Sequence, residues 1–305
     1  MKKFPCLLFP IIFFICIGAT YNWQNAPIEK DEPILKFVHI TDSHCISSIP
    51  KKGKESFSRT LQLGPYRFHW KDTQFSFSIF EKTIEFINEN INADFLIHTG
   101  DITENGALTD LEKVKGILKK LKFPYYTVMG DHDGIKSQNY LTTFQKRSYS
   151  FDCKNWHFVI LSIFPDEQEL KWFENDVSEN CSKPIIFATH RLVVSDKFTV
   201  FLARVFYQNS HLFMPEAERV KNILKNFSNI KIVLSGHCHS NFHWEKDNIH
   251  FISTSALVEP PHQFRLFEIY NDKIIMKTFI AETRKKVFEK QWRIFQEEII
   301  RDIHF

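Results

Sequence analysis

The chain has little glycine and little net charge: nine glycines in 305 residues, and a formal charge of +3 at pH 7. A charge that small gives no case for a nucleic-acid partner. Internal repeats and low-complexity segments are absent. The one long apolar run, Phe4 to Ala19, is short for a permanent membrane span and carries Pro5 and Pro10. What is present is ordinary globular composition, 43% hydrophobic and 25% charged, with 32 phenylalanines. That suffices to bury a sizeable core in one large domain or two small ones.

Phe4–Ala19 follows Met1-Lys2-Lys3 and ends at Gly18-Ala19-Thr20, the pattern of a secretory signal. Residues 1–20 are expected to be a cleaved signal peptide and the protein to be exported, periplasmic or extracellular; an N-terminal membrane anchor is the alternative. Cys16 invites a lipoprotein reading, but Phe14 and Ile15 are bulky for a lipidation site. A polar linker covers residues 21–33. Export leaves Cys45, Cys153, Cys181 and Cys238, an even number that permits disulfides. Cys153 and Cys181 are the better candidate pair, while Cys45 and Cys238 adjoin candidate ligand histidines and are expected as buried thiols.

Apolar periodicity predicts helices over 75–90, 108–121, 167–177 and 216–227. Short apolar runs predict strands at 34–40, 94–99, 125–129, 149–151, 156–163, 184–189 and 232–234. Further strands are expected at 249–254, 264–270 and 273–279, then a C-terminal helix over 281–305. Ser47 to Thr73 has no period and is expected to be a long loop at the rim of a site. Strands alternating with helices, then a run of strands, suggest an α/β sandwich with a mixed sheet.

Polar residues gather where five of these strands end. The clusters are Asp42-Ser43-His44, Gly100-Asp101, Gly130-Asp131-His132-Asp133, the lone His190 and Gly236-His237-Cys238-His239. Ligands collect beyond the carboxyl ends of strands in open α/β sheets. Carboxylates and imidazoles without thiolates suit Mn, Fe or Zn in a catalytic site rather than a structural one. Asp101, alone on its loop, suits a bridge between two cations. The other histidines, His39, His69, His98, His157, His211, His243, His250, His262 and His304, match no motif and are expected to be structural.

In order, type and approximate spacing, these five motifs resemble the calcineurin-like metallophosphoesterases, whose pattern is D-x-H, G-D, G-N-H-[DE], H and G-H-x-H. The resemblance spans about Leu35 to Phe279. It implies a four-layer α/β sandwich, mixed sheets flanked by helices, as one domain over 34–280. It also implies two divalent metal ions (Mn, Fe or Zn), one on Asp42, His44, Asp101 and His239, the other on Asp101, Asp131, His190 and His237. His132 would be the general acid or transition-state stabiliser, oriented by Asp133 through its other ring N–H. The implied reaction is hydrolysis of a phosphomonoester or phosphodiester by a metal-bound hydroxide. A phospholipid or nucleotide-sugar pyrophosphohydrolase and a non-catalytic metal-binding paralogue are the alternatives.

One position departs from the family: Asp131 stands where Asn is usual. Three carboxylates against two divalent cations leave a formal charge of +1 rather than +2, which would tighten metal binding, or favour a more oxidised metal, and weaken attraction for a phosphate anion. The segment Leu192 to Met214 is rich in large apolar residues. It is either an additional helix packed on the core or a cap that takes an apolar leaving group or touches a membrane surface. The expected partner is a small-molecule phosphoester.

Overall fold

The strands that carry the five clusters are apolar on both sides because both sides are covered. In Leu35-Lys36-Phe37-Val38-His39-Ile40, Leu35 and Phe37 face one core cluster while Val38 and Ile40 face another. The computed structural model describes residues 32–48, 60–63, 66–69, 71–194 and 212–301. The expected signal peptide, nearly all of the linker, and 195–211 of the apolar segment lie outside the described residues.

In chain order the strands are β1 (Leu35–Ile40), β2 (Thr60–Leu63), β3 (Tyr66–His69), β4 (Phe95–His98), β5 (Tyr125–Thr127), β6 (Tyr149–Cys153), β7 (Trp156–Ile160), β8 (Ile185–Ala188), β9 (Ile230–Ser235), β10 (Phe242–Lys246), β11 (Ile249–Ser253), β12 (Gln263–Ile269), β13 (Lys273–Ile280) and β14 (Arg293–Arg301). The helices are α1 (Ser76–Asn90), α2 (Leu108–Leu118), α3 (Asp131–Gly134), α4 (Ser137–Phe144), α5 (Glu167–Glu179), α6 (Ala217–Asn226) and α7 (Arg284–Phe288).

Two six-stranded mixed sheets result, in orders β14-β13-β12-β1-β4-β5 and β10-β11-β9-β8-β7-β6. β1, β4 and β5 run parallel in the first; β7, β8, β9 and β11 run parallel in the second. The sheets pack face to face on aromatic contacts. Phe37 stacks between Phe95 and Phe267 at ring distances of 5.3 and 4.7 Å, and Phe158 of the second sheet meets Phe37 edge-on at 5.9 Å. On the outer face of the first sheet, Ile79, Phe80 and Ile84 of α1 and Leu111 and Val114 of α2 pack against Val38, Ile40 and Leu96. On the outer face of the second, Leu170 and Phe173 of α5 and Val220 and Leu224 of α6 pack against Phe187 and Val233. This is the four-layer sandwich that the sequence implies, and it brings the carboxyl ends of β1, β4, β5, β8 and β9 together.

Three expectations fail. The helix over 281–305 is only Arg284–Phe288; Arg293–Arg301 is a strand paired antiparallel with β13. Residues such as Gln296, Glu297 and Glu298 favour helix, but the open edge of β13 supplies backbone partners that an isolated helix lacks, and pairing overrides propensity. Within the expected loop 47–73, β2 and β3 pair antiparallel, Thr60 opposite His69; a run without an alternating apolar pattern still forms strands where each supplies the other's backbone partners. Cys153 and Cys181 are unbonded thiols, the one half-buried on a strand and the other exposed after α5, whereas Cys45 and Cys238 are buried as expected.

Candidate metal centre

Each site side chain must turn back over the end of its own strand, and the backbone shows the cost. Asp42, His44, Asp101, His237 and His239 all have positive φ, between 43° and 61°. Asp and His tolerate this left-handed region better than branched residues, yet such conformations cost about 1–3 kcal/mol each and persist only where the surroundings enforce them. The enforcement is close backbone approach. A Cβ on Gly236 would overlap Thr41 Oγ1 and Asp42 Oδ2, and one on Gly130 would overlap the backbone and carboxylate of Asp101.

The turns deliver two adjoining clusters. In one, His239 Nε2 lies 3.2 Å from Asp42 Oδ1 and 3.4 Å from His44 Nε2, and His44 Nε2 is 3.7 Å from Asp42 Oδ1. In the other, His190 Nε2 lies 3.3 Å from Asp101 Oδ2 and 3.8 Å from Asp131 Oδ1, which is 3.9 Å from His237 Nδ1. Asp101 Oδ2 belongs to both, 3.7 Å from His44 Nε2 and also 3.9 Å from His132 Nε2. All but Asp131 and His132 are buried. All seven expected ligands and His132 therefore converge.

Hydrogen bonds from the outer side decide which ring nitrogen faces inward. His190 Nδ1 donates to the Thr99 carbonyl at 2.6 Å, and His239 Nδ1 to Glu259 Oε1 at 2.8 Å. His44 Nδ1 lies 2.8 Å from Glu104 Oε2, an oxygen also held by the buried Lys71 at 3.1 Å. In neutral rings these bonds leave Nε2 of His44, His190 and His239 as bare lone pairs aimed at carboxylates. Asp42 takes Thr41 Oγ1–H (2.6 Å) and His237 N–H (3.0 Å) on Oδ2, leaving buried Oδ1 without a hydrogen-bond donor. His190 Nε2 likewise has no hydrogen-bond partner.

Burial opposes ionisation of His44 and His190. Glu104 and Asp42 nonetheless lift His44 to about 9, and Asp101, Asp42 and Asp131 lift His190 to about 10. Burial likewise opposes ionisation of Asp42 and Asp101, yet the histidines hold both well below the usual carboxylate range. Burial, His44 and Lys71 keep the His132 imidazole below its ordinary value, against the pull of Asp101.

Two expectations about individual residues need correction. Asp133 does not orient His132, whose Nδ1 instead donates to the Glu104 backbone carbonyl at 2.7 Å. The Asp133 carboxylate accepts the N–H groups of Ile102, Thr103 and Gly130 and the Thr103 hydroxyl, so it ties the loop after β4 to the loop after β5. Those loop N–H groups need a buried acceptor, and Asp133 lies directly beneath them; burial and then Asp101 raise its pKa to about 6. Asp131 is not a free carboxylate: Arg191 Nε–H donates to its oxygens at 3.1 and 3.0 Å, and Nη2–H to Oδ2. Motif matching missed Lys71, Glu104, Arg191 and Glu259. Their only sequence signal is position, since Arg191 follows His190 and Glu104 sits three residues beyond Asp101.

The residues fit divalent cations. Ligands about 2.0–2.2 Å from one cation lie about 2.8–3.6 Å from one another in octahedral or tetrahedral shells, and the 3.2, 3.3 and 3.4 Å separations fall in that range. The unpartnered Asp42 Oδ1 and His190 Nε2 are the atoms that such ions would satisfy. Over residues 35–241 the sequence matches the calcineurin-like phosphoesterase family. The chain belongs to that family. Its enzyme class is phosphoric ester hydrolase. It is similar to a 3′,5′-cyclic-nucleotide phosphodiesterase of Nostoc sp., 23% identical over 59% of this chain and 73% of that one. A probable glycerophosphodiester phosphodiesterase of Arcobacter nitrofigilis is 24% identical over 57% of this chain and 65% of that one. Among solved structures, a dimetal phosphatase from Danio rerio superposes with a TM-score of 0.63 at 14% identity, covering 88% of this chain and 99% of that one. At that identity the likeness concerns the fold.

Proposed function

We propose that the chain is a binuclear, divalent-metal-dependent hydrolase of small phosphodiesters. The observation that carries this reading is Asp101 Oδ2, set between His44 Nε2 at 3.7 Å and His190 Nε2 at 3.3 Å as the shared ligand of two clusters. Asp42, His44 and His239 would hold one ion with Asp101; Asp131, His190 and His237 would hold the other. Such ions supply Lewis-acid polarisation of a phosphoryl oxygen and acidify water. A diester is favoured over a monoester by the names of the two relatives, one acting on cyclic nucleotides and the other described as a probable glycerophosphodiesterase.

His132 is the residue placed to meet the reacting group. Its side chain is one-third exposed, whereas those of His44, His190 and His239 are sealed within the site. With Nδ1–H committed to the Glu104 carbonyl, the ring presents Nε2; burial disfavours the imidazolium, so a proton carried there would be given up readily to a leaving oxygen. Asp101 Oδ1 accepts the His132 backbone N–H at 2.9 Å, so one carboxylate both bridges the clusters and places this histidine. Asp133 holds the two loops that carry them in register. A non-catalytic role loses its main support once Arg191 is seen to neutralise Asp131. The pyrophosphohydrolase alternative is favoured if Leu192 to Met214 forms an exposed apolar pocket, and 195–211 of that segment lie outside the described residues. We also propose export, on the Lys2-Lys3 and Phe4–Ala19 pattern, to be checked by sequencing the N-terminus of the mature protein.

The test is metal analysis with paired chromogenic esters. Protein stripped with chelator and reloaded with Mn2+ is expected to bind two ions per chain. It should then hydrolyse bis(p-nitrophenyl) phosphate faster than p-nitrophenyl phosphate, with the activity lost in Asp101→Asn. Two bound ions without turnover of either ester would overturn the enzymatic reading, and faster monoester turnover would overturn the diester preference.

A further inference from the structure

The Asp131–Arg191 pair has a geometry that goes beyond a surface ion pair. Asp131 Oδ1 is turned toward His190 Nε2 and His237 Nδ1, at 3.8 and 3.9 Å, and also accepts Arg191 Nε–H at 3.1 Å, while Oδ2 accepts both Arg191 Nε–H at 3.0 Å and Nη2–H. The guanidinium is nearly buried, its side chain 10% exposed, and its other face lies over the Phe164 ring with Cζ 5.5 Å from the centroid. It is thus pinned between an aromatic face and a carboxylate edge, in the planar forked arrangement that arginine makes and lysine does not.

Resting on the binuclear reading above, we propose that Arg191 is a positioning residue that converts Asp131 into a charge-neutral ligand unit. Arg191 grips both carboxylate oxygens, Nε–H on Oδ1 and Oδ2 and Nη2–H on Oδ2, and so fixes the side-chain rotation; the remaining lone pair of Oδ1, on the side of His190 and His237, would serve the ion held with them. Asp131 and Arg191 together carry no net charge, as an amide at position 131 would. The three site aspartates and Arg191 therefore leave −2, not −3, against the cations. On this reading the extra negative charge behind the expectation from sequence alone, a more anionic site with tighter metal and weaker phosphate binding, is cancelled by Arg191. What distinguishes this site from one with Asn is that its neutrality is divisible: each half of the pair can be removed separately, with opposite electrostatic consequences.

The experiment compares Asp131→Asn, Arg191→Gln, the double variant and Arg191→Lys. It reads Mn2+ stoichiometry and affinity by calorimetry, the melting temperature of the stripped protein, and kcat and KM for bis(p-nitrophenyl) phosphate. Arg191→Gln exposes the full Asp131 charge, and is expected to tighten the weaker Mn2+ site and to raise KM, each by about tenfold or more, the direction being set by the sign of the uncovered charge. Asp131→Asn leaves the guanidinium unopposed and should shift both quantities about as far in the opposite direction. The double variant should return to within about threefold of the parent in both. Arg191→Lys should keep KM and lower kcat, because charge remains while the fork is lost. A purely structural clasp would change the melting temperature and leave Mn2+ affinity and KM unmoved, which would overturn the proposal; so would a double variant no better than Asp131→Asn. A parent protein that takes up no Mn2+ would overturn the binuclear reading and this inference with it. Two-ion uptake with unchanged affinity in Arg191→Gln would overturn this inference alone.

Discussion

Glu259 Oε1 lies 2.8 Å from His239 Nδ1, and that contact turns His239 Nε2 to within 3.2 Å of Asp42 Oδ1. Glu104 stands in the same relation to His44, at 2.8 Å. Both histidines that face Asp42 are therefore backed by a buried glutamate, an arrangement that fixes the tautomer and strengthens the inward lone pair. Replacing Glu259 with Leu removes the acceptor at similar size and should lower metal affinity about 10–100-fold. Glu259→Gln, which keeps an acceptor oxygen, should lose less. Competition with a fluorescent chelator measures both; equal losses would mean that packing, not the hydrogen bond, is what Glu259 contributes.

Gly236 admits no side chain, because a Cβ there would meet Thr41 and Asp42. Gly236→Ala must push the β1 and β9 loops apart, and overpacking of this kind costs about 1–3 kcal/mol or more. Urea unfolding should show the loss, with metal stoichiometry falling below that of the parent. Gly116, whose Cβ would meet nothing within 4 Å, is the control: Gly116→Ala lies in α2 and should be neutral or stabilising by about 0.5–1 kcal/mol.

His132→Ala should reduce kcat by about 10²–10⁴ on an alkyl-leaving diester. The loss should be clearly smaller on a p-nitrophenyl ester, whose leaving oxygen scarcely needs a proton. Equal losses on both esters would assign His132 to stabilising the phosphoryl oxygens rather than to protonating the leaving group.

Far from the site, His157 is held between Asp152 Oδ1 at 2.7 Å and Asp176 Oδ2 at 2.8 Å. Burial opposes the charge on His157, but both aspartates raise its pKa above the ordinary value, so the charged clip is worth most below about pH 6.5 and fades as pH rises through the elevated value. Asp152 is shifted the other way: burial opposes, but Lys183 and His157 lower it, so its share is present above about pH 4 and lost in stronger acid. His157→Gln should therefore lower stability most between about pH 5 and 6 and least near pH 9, by about 1–3 kcal/mol at most. Thermal melts across that range test it, and a pH-independent shift would show that ring packing dominates.

Strand positions were legible because the signal is local. An apolar run such as Ile232-Val233-Leu234 can only be buried, and the break at Gly236 must follow, so His237 and His239 had to sit at a strand end. The same reasoning placed Asp42, Asp101, Asp131 and His190, and with five strand ends known the fold class followed. It did not reach β14, because a strand at a sheet edge needs no alternating apolar pattern of its own: Arg293–Arg301 is mostly exposed, and its backbone pairing with β13 alone makes it a strand.

The residues that complete the site depend on chain crossings. Lys71 and Glu104 reach His44 from 27 and 60 positions away, and Arg191 reaches Asp131 across 60. No local period encodes those meetings. They exist because β1, β4, β5, β8 and β9 end at one place, and side chains distant in sequence then compete there to satisfy one another's charge. By itself the sequence determined which atoms could bind a cation. Only the tertiary structure decided which way each ring faces and that Asp131 shares its charge with Arg191, because both depend on contacts between strands that the chain order alone does not bring together.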